Sequence, residues 1–297
     1  MREIGRALKK NPSSVSREIK TNGGRKGYDP HNAHIYARVR RQDAKYQGMK
    51  VHGHSELRIY IEEKIRQGWS PDVIAGTWNR GQKPITITAK GIYKYLYSPH
   101  GQPWCQYLKS EQWGQRKRKG KKSKKILIPN RIDIDQRPMM INRRTRFGDF
   151  EGDTLGVPKH THVTLAAVIE RKSRYLLAKK ISRVRYAVEG FKELLAPLPI
   201  RSLTLDNGVE NVRYQKLRIP SYFCHPYSSW EKGQIENAFG LMRRYIPKKQ
   251  SLTRYSQKDI SAIVDHINSI PRKILNYRTP KKVFEECFLK QGCCTSE

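Results

Sequence analysis

Apolar residues recur at helical spacing through the N-terminal third of the chain and switch to strand-like alternation after about residue 147. The first helical pattern places Ile4, Ala7 and Leu8 on one face of Glu3–Leu8. Asn11-Pro12 then supplies a capping side chain followed by proline at the first helical position, the start of a second helix. In that helix Val15 and Ile19 face inward. Ser13, Ser14, Ser16, Arg17 and Lys20 face outward, a small polar and basic set suited to base edges and phosphates. Residues 1–24 thus read as a partial helix-turn-helix, lacking the first helix that would complete a trihelical unit.

The pattern repeats from about Glu56. Leu57, Ile61 and Ile65 define one helix that Gly68 can end, and Ser70-Pro71 opens a second that buries Val73, Ile74 and Trp78. After Ile85-Thr86-Ile87, Thr88 caps a third with Ile92, Tyr95 and Leu96 inside and Lys90 and Lys94 outside. Residues 52–100 form a complete trihelical DNA-binding candidate, for which a plain three-helix bundle is the competing reading. Beyond them, Phe150–Val157, Thr161–Glu170 and Tyr175–Ile181 are three successive strands. A helix at Tyr186–Leu195 and a short strand at Leu203–Leu205 follow, then a strand at Ser221–Cys224 and a long helix from about Lys232 to Tyr245. Residues 140–289 are therefore expected to hold a mixed α/β sheet, and the fold class is an α/β, RNase H-like core preceded by α-helical units.

Charge identifies the partner. Lys and Arg number 60 against 26 Asp and Glu, a net charge of +34, and such self-repulsion calls for a polyanion. Nucleic acid is the leading reading, with a ribosomal or other RNA-coating protein the bland one, and the helical units make double-stranded DNA the expected partner. The run Arg116–Lys125 has eight basic residues in ten and none apolar, so residues 112–128 are read as a basic disordered linker whose phosphate affinity falls with salt. No apolar run approaches the roughly 18 residues of a membrane span, and no signal-peptide core is present, so a cytosolic protein is expected. Cys105, Cys224, Cys287, Cys293 and Cys294 form no zinc-like spacing and read as reduced thiols. The pairs His52/His54 and His160/His162 read as loop residues, and nothing implies a small-molecule cofactor.

Against this basic background three acids stand out. Asp153 falls on the first strand and Asp206 at the end of the fourth, which are neighbours in a sheet of the RNase H type. Glu236 lies on the following helix, able to pack across the sheet. Clustered carboxylates repel unless divalent cations neutralise them, and two Mg²⁺ ions roughly 3.5–4 Å apart suit phosphodiester chemistry. Each acid taken alone is also an ordinary turn or surface residue.

Phe147-Gly148-Asp149-Phe150-Glu151-Gly152-Asp153, Leu205-Asp206-Asn207-Gly208 and Pro226-Tyr227-Ser228-Ser229-Trp230-Glu231-Lys232-Gly233 through Glu236-Asn237 resemble the catalytic segments of the "insertion sequence thirty" family of bacterial DDE transposases. The similarity runs from Ile4–Ile19 through Trp69-Ser70-Pro71 to Asn276-Tyr277-Arg278-Thr279-Pro280, nearly the whole chain. The resemblance implies an integrase core and dependence on Mg²⁺, for which Mn²⁺ can substitute. It also implies cleavage at element ends followed by attack of the freed 3′-hydroxyl on target DNA. Its three carboxylates map onto Asp153, Asp206 and Glu236, with Asp149, Glu151 and Glu231 as second choices. On a helix Lys232 and Arg243 would share the face of Glu236 and contact DNA phosphates. A homo-oligomer on DNA is expected, since joining two ends requires both to be held.

Two features depart from the family pattern. The first helix of the N-terminal unit is missing, consistent with a truncated start, and only 29 residues (207 to 235) separate Asp206 from Glu236. Two other readings share the motifs: a truncated remnant that only binds DNA, and a nuclease that hydrolyses strands without joining them.

Overall fold

A computed structural model describes residues 1–46, 50–108, 128–156, 162–226, 228–248 and 250–292. The basic run Arg116–Lys125 and His160 lie outside these residues. The chain opens with α1 (Arg2–Ala7) and α2 (Pro12–Thr21), and the Asn11 side chain caps α2 by accepting from Ser13 N–H at 2.9 Å. Val15 is buried, and Ser13, Ser14, Ser16, Arg17 and Lys20 are all exposed. A short α3 (Gly24–Gly27) leads into α4 (Pro30–Tyr46), whose Arg40 donates to Asn22 at 2.7 Å. Helical structure therefore continues well past residue 24.

The second helical unit follows α5 (Lys50–Gly53) and comprises α6 (Ser55–Arg66), α7 (Pro71–Arg80) and α8 (Ala89–Leu96). Ser70 and Thr88 supply the N-caps read from the sequence, accepting from the backbone of Val73 and Gly91. Leu57, Ile61, Ile65, Ile74, Trp78, Ile92, Tyr95 and Leu96 form one core. Full burial of each such aliphatic side chain contributes roughly 1.5–3 kcal/mol. His52, expected in a loop, lies within α5 and stacks on His100 with ring centroids 5.5 Å apart.

The sheet contains six strands: β1 (Ile132–Asp133), β2 (Asp149–Leu155), β3 (Thr164–Glu170), β4 (Leu176–Ile181), β5 (Ser202–Leu205) and β6 (Ser221–Phe223). Their spatial order is β1-β6-β5-β2-β3-β4. The β2-β3-β4 meander is antiparallel, while β5 pairs parallel to β2, and β6 and β1 extend the sheet in the same sense. A short α9 (Met139–Asn142) precedes β2, and a chain returning parallel beside that strand needs a crossover; α10 (Ala187–Leu195) provides it between β4 and β5. Alternation along the strands sends Phe150, Val168 and Leu203 to the face covered by α10. Leu155, Leu165 and Ala167 go to the opposite face, beneath α11 (Gly233–Met242) and α12 (Gln257–Ser269). The last helix, α13 (Pro280–Gly292), returns to the first face through Phe284.

The helical unit and the sheet domain are pinned together. Arg244 donates to the carbonyls of Gly68 at 2.8 Å and Tyr107 at 2.6 Å, His266 Nε2 lies 3.0 Å from the Gln67 carbonyl, and Lys273 pairs with Asp72 at 3.2 Å. The Tyr277 ring fills the space a side chain at Gly76 would need. Among the described residues no helix is long and apolar enough to cross a membrane.

Candidate active site

Because side chains alternate along a strand, β2 sends Asp149, Glu151 and Asp153 to the face covered by α11. Each meets its own cation. Asp149 accepts from Arg146 at 2.7 Å and from the Ser202 hydroxyl at 2.6 Å. Glu151 pairs with Arg171 at 2.5 Å, the two side chains 1 % and 3 % exposed. Its second oxygen accepts from the backbone N–H groups of Gln234 and Ile235, both at 3.2 Å, and so caps the start of α11 with a negative charge. Asp153 meets Lys232, whose Nζ lies 3.0 Å from Asp153 Oδ2 and 3.5 Å from Asp206 Oδ2.

Pairing of β2 with β5 brings Asp153 and Asp206 together, as the sequence predicts. Asp206 sits just past the end of β5, where the Asn211 side chain donates to its Oδ1 at 2.8 Å. The turn that follows carries Glu210 back to the same spot. Asp153, Asp206 and Glu210 each offer an oxygen within 4.8 Å of the other two, the one such group of three among the described residues. Burial is the main force raising the Asp153 carboxyl above its usual range; Asp206 adds to the rise and the Lys232 ammonium opposes it. Glu210 is raised for the same principal reason, with Asp206 and Asp153 adding repulsion. Burial works against the Lys232 charge, but Asp153 and Asp206 outweigh it and hold the amine protonated above its usual range. A half-buried, carboxylate-rich site that draws in a lysine ammonium is one that demands positive charge, and its hard oxygen donors fit a divalent cation.

Several placements differ from the sequence reading. Lys232 was expected on an exposed helix face shared with Glu236. The helix begins only at Gly233, and Lys232 ends the preceding 3₁₀ turn (Ser229–Lys232), 4 % exposed and inside the carboxylate group. Glu236 is exposed in the first turn of α11, outside the group that Glu210 joins. Arg243 does not extend the helix face either: α11 ends at Met242, and the Arg243 guanidinium reaches the Gly156 carbonyl just past β2. Lys90 and Lys94 are exposed on α8 as expected. The second-choice acids are all engaged elsewhere, Glu231 by His225, whose Nδ1 lies 2.7 Å from it. Glu210 was missed; its signal in the sequence is its place four residues after Asp206, within reach once the chain turns at Gly208.

The strand order, the parallel pairing of β2 with β5 and the carboxylates at their ends define an RNase H-like, integrase-type core. No protein-family model matches the chain. The transposase InsI for insertion sequence element IS30A of Escherichia coli (strain K12) is 34% identical over 307 residues, covering 96% of this chain and 78% of that protein. The transposase for insertion sequence element IS1086 of Cupriavidus metallidurans is 32% identical over 305 residues, covering 96% and 89%. That for IS4351 of Bacteroides fragilis is 31% identical over 300 residues, covering 95% and 89%. Among solved structures, the catalytic core domain of BIV integrase matches 48% of this chain and 97% of that chain, with 17% identity and a TM-score of 0.38. The chain belongs to the IS30 family of transposases.

Proposed function

We propose that this transposase binds the terminal repeats of an insertion element and cuts and joins DNA strands there by the DDE mechanism, with Asp153, Asp206 and Glu236 as the catalytic carboxylates and Mg²⁺, or Mn²⁺ in its place, as cofactor. The observation that carries the reading is the convergence of Asp153 and Asp206, from neighbouring parallel strands, on one buried cation. Bound divalent ions would supply charge stabilisation at the attacking and leaving oxygens of a phosphodiester. Asp153 is the fixed member of the set, its Oδ1 held by the Thr154 N–H at 2.7 Å, and Asp206 is oriented by Asn211. Glu236 stands exposed on the first turn of a helix that Glu151 ties to β2, the element that carries Asp153. With cations held by these carboxylates, the Lys232 ammonium that now pairs with them would be a local partner for a DNA phosphate.

Duplex DNA is engaged through the exposed Ser13, Ser14, Ser16, Arg17 and Lys20 of α2 and Lys90 and Lys94 of α8, with Arg243 beside the site; residues 1–24, 52–100 and 140–289 serve as two DNA-binding units and a catalytic core, and the active form is a homo-oligomer on DNA. The test incubates the protein with DNA carrying the element's terminal repeats in Mg²⁺ or Mn²⁺, beside Asp206→Asn. Cleaved and joined products that vanish in the variant are expected. Products that persist in it, or hydrolysis with no joining, would overturn the assignment.

A further inference from the structure

Between the second helical unit and the sheet domain lies a cleft of about 470 Å³. One wall is α8, where Tyr93 and Tyr97 stack with ring centroids 5.8 Å apart; Tyr97 is 69 % exposed. Opposite stand Asn237, next to Glu236, and Arg244 and Arg272. Arg272 is unusual. Its guanidinium is largely buried, and burial lowers it to about 10. Among the described residues no carboxylate pairs with it, and its side chain makes one hydrogen bond, to the Ile267 carbonyl at 3.2 Å. A guanidinium offers five donors in a fork that matches phosphate, so most of this one's capacity faces the cleft unused. Beneath α11 the cleft adjoins a hollow of about 180 Å³ that shares Asn237 and Arg272 and is lined also by Gln234. Gln234 is 5 % exposed, and its Oε1 is buried with no hydrogen-bond partner. A buried acceptor left unmatched costs about 1–3 kcal/mol, which a donor arriving from outside would recover.

An aromatic platform, a half-buried guanidinium without a carboxylate partner and an orphan acceptor form a combination that suits one ligand class. We propose that this cleft holds an unpaired nucleotide at the end of a DNA strand, its base laid on Tyr93 and Tyr97, its phosphate on Arg272, and a base or sugar donor on Gln234. The inference rests on the DNA-processing reading, and it adds a place where the duplex is opened beside the reacting strand. The volume lies in the range of small-ligand pockets, and stacking on tyrosine is sequence-tolerant, so the site would act on any end sequence. Lys90 and Lys94 on the same helix are placed to follow the neighbouring backbone.

The test compares binding of two DNAs that differ only at one end: a blunt duplex, and the same duplex with an unpaired 3′ stretch of about three nucleotides carrying a fluorescent adenine analogue. Wild type should prefer the unpaired end by about tenfold, with the analogue's fluorescence quenched by stacking. Tyr97→Ala and Tyr93→Ala should lose the preference and the quenching while keeping wild-type affinity for the blunt duplex, which also shows that they fold. Equal affinity for the two DNAs, a preference that survives both variants, or equal weakening on both DNAs would overturn the proposal. Asp206→Asn separates the two readings. If wild type never cuts but Asp206→Asn keeps the preference, the strand-transfer assignment fails and the cleft stands; if cutting is normal without any preference, the cleft assignment fails alone.

Discussion

Replacing Glu151 by Gln removes the charge that links two structural elements while changing the side-chain volume little. Its partner Arg171 is 3 % exposed, and its Nε already lacks a hydrogen-bond partner, so the variant leaves a buried cation without its counter-charge. Breaking a buried pair from one side costs roughly 3–5 kcal/mol. At about 2–4 °C per kcal/mol for a domain of this size, the melting temperature should fall by about 6–20 °C. The glutamine oxygen can still accept from Gln234 or Ile235, though more weakly, so α11 should remain folded but less firmly held. Scanning calorimetry gives the first quantity, and titration with Mg²⁺ or Ca²⁺ gives the second as weakened ion binding. Converting both partners, Glu151→Leu with Arg171→Leu, should recover most of the stability, because no charge is left buried, but not the ion affinity. A melting temperature lowered by less than about 2 °C in the single variant would show that water reaches the pair and that the reasoning fails.

Lys232→Met leaves Asp153 and Asp206 without their cation, so the protein should melt lower in chelator, and Mg²⁺ should raise its melting temperature more than it does in wild type; equal rises would refute the stand-in role. Phe191→Ala, at a fully buried position under the sheet, should cost about 3–5 kcal/mol by denaturant unfolding, and a loss below about 1 kcal/mol would place the ring outside the core. His225 is raised above its usual range by its hydrogen bonds to Glu231 and then to Asp135. A raised folded value means the stabilising contribution is complete below the unfolded pKa of about 6.5 and disappears as pH rises through the folded one. Wild type should therefore exceed His225→Gln in stability at low pH and converge with it at high pH; a gap that widens with pH is the contrary result. Gly76→Ala would drive a methyl group into the Tyr277 ring, so faster proteolysis between the helical unit and the sheet domain is expected, and an unchanged cleavage rate would argue against tight docking.

The helices and strands were legible wherever spacing and caps agreed: Ser70 and Thr88 cap the helices they were expected to cap, and the alternation in Thr164–Glu170 marks a strand. Asp153 and Asp206 were legible because sheet order follows from the sequence of elements. The two-residue strand β1 is too short to show any period, and its place depends on pairing with the distant β6. Helix α12 carries a readable signal: Ser256 and Asp259 form a capping box ahead of Ile260, Val264 and Ile267. Lys232 was misplaced for a different reason. A lysine in a basic chain reads as surface, and only the convergence of two carboxylates makes its burial tolerable. The same convergence draws in Glu210, whose one signal in the sequence is its place four residues after Asp206.

The three acids along β2 differ in how permanently their charge is answered. Asp149 and Glu151 are held by arginines belonging to the scaffold, so losing either carboxylate should cost the fold. Asp153 sits under burial and repulsion that already disfavour its charge. An asparagine there would relieve that repulsion but leave the buried Lys232 with Asp206 alone, so its cost falls on the site more than on the strands. On the function proposed above, chemistry and architecture can therefore decay at different rates: a copy that has lost the first would keep the helices through which it is proposed to hold DNA.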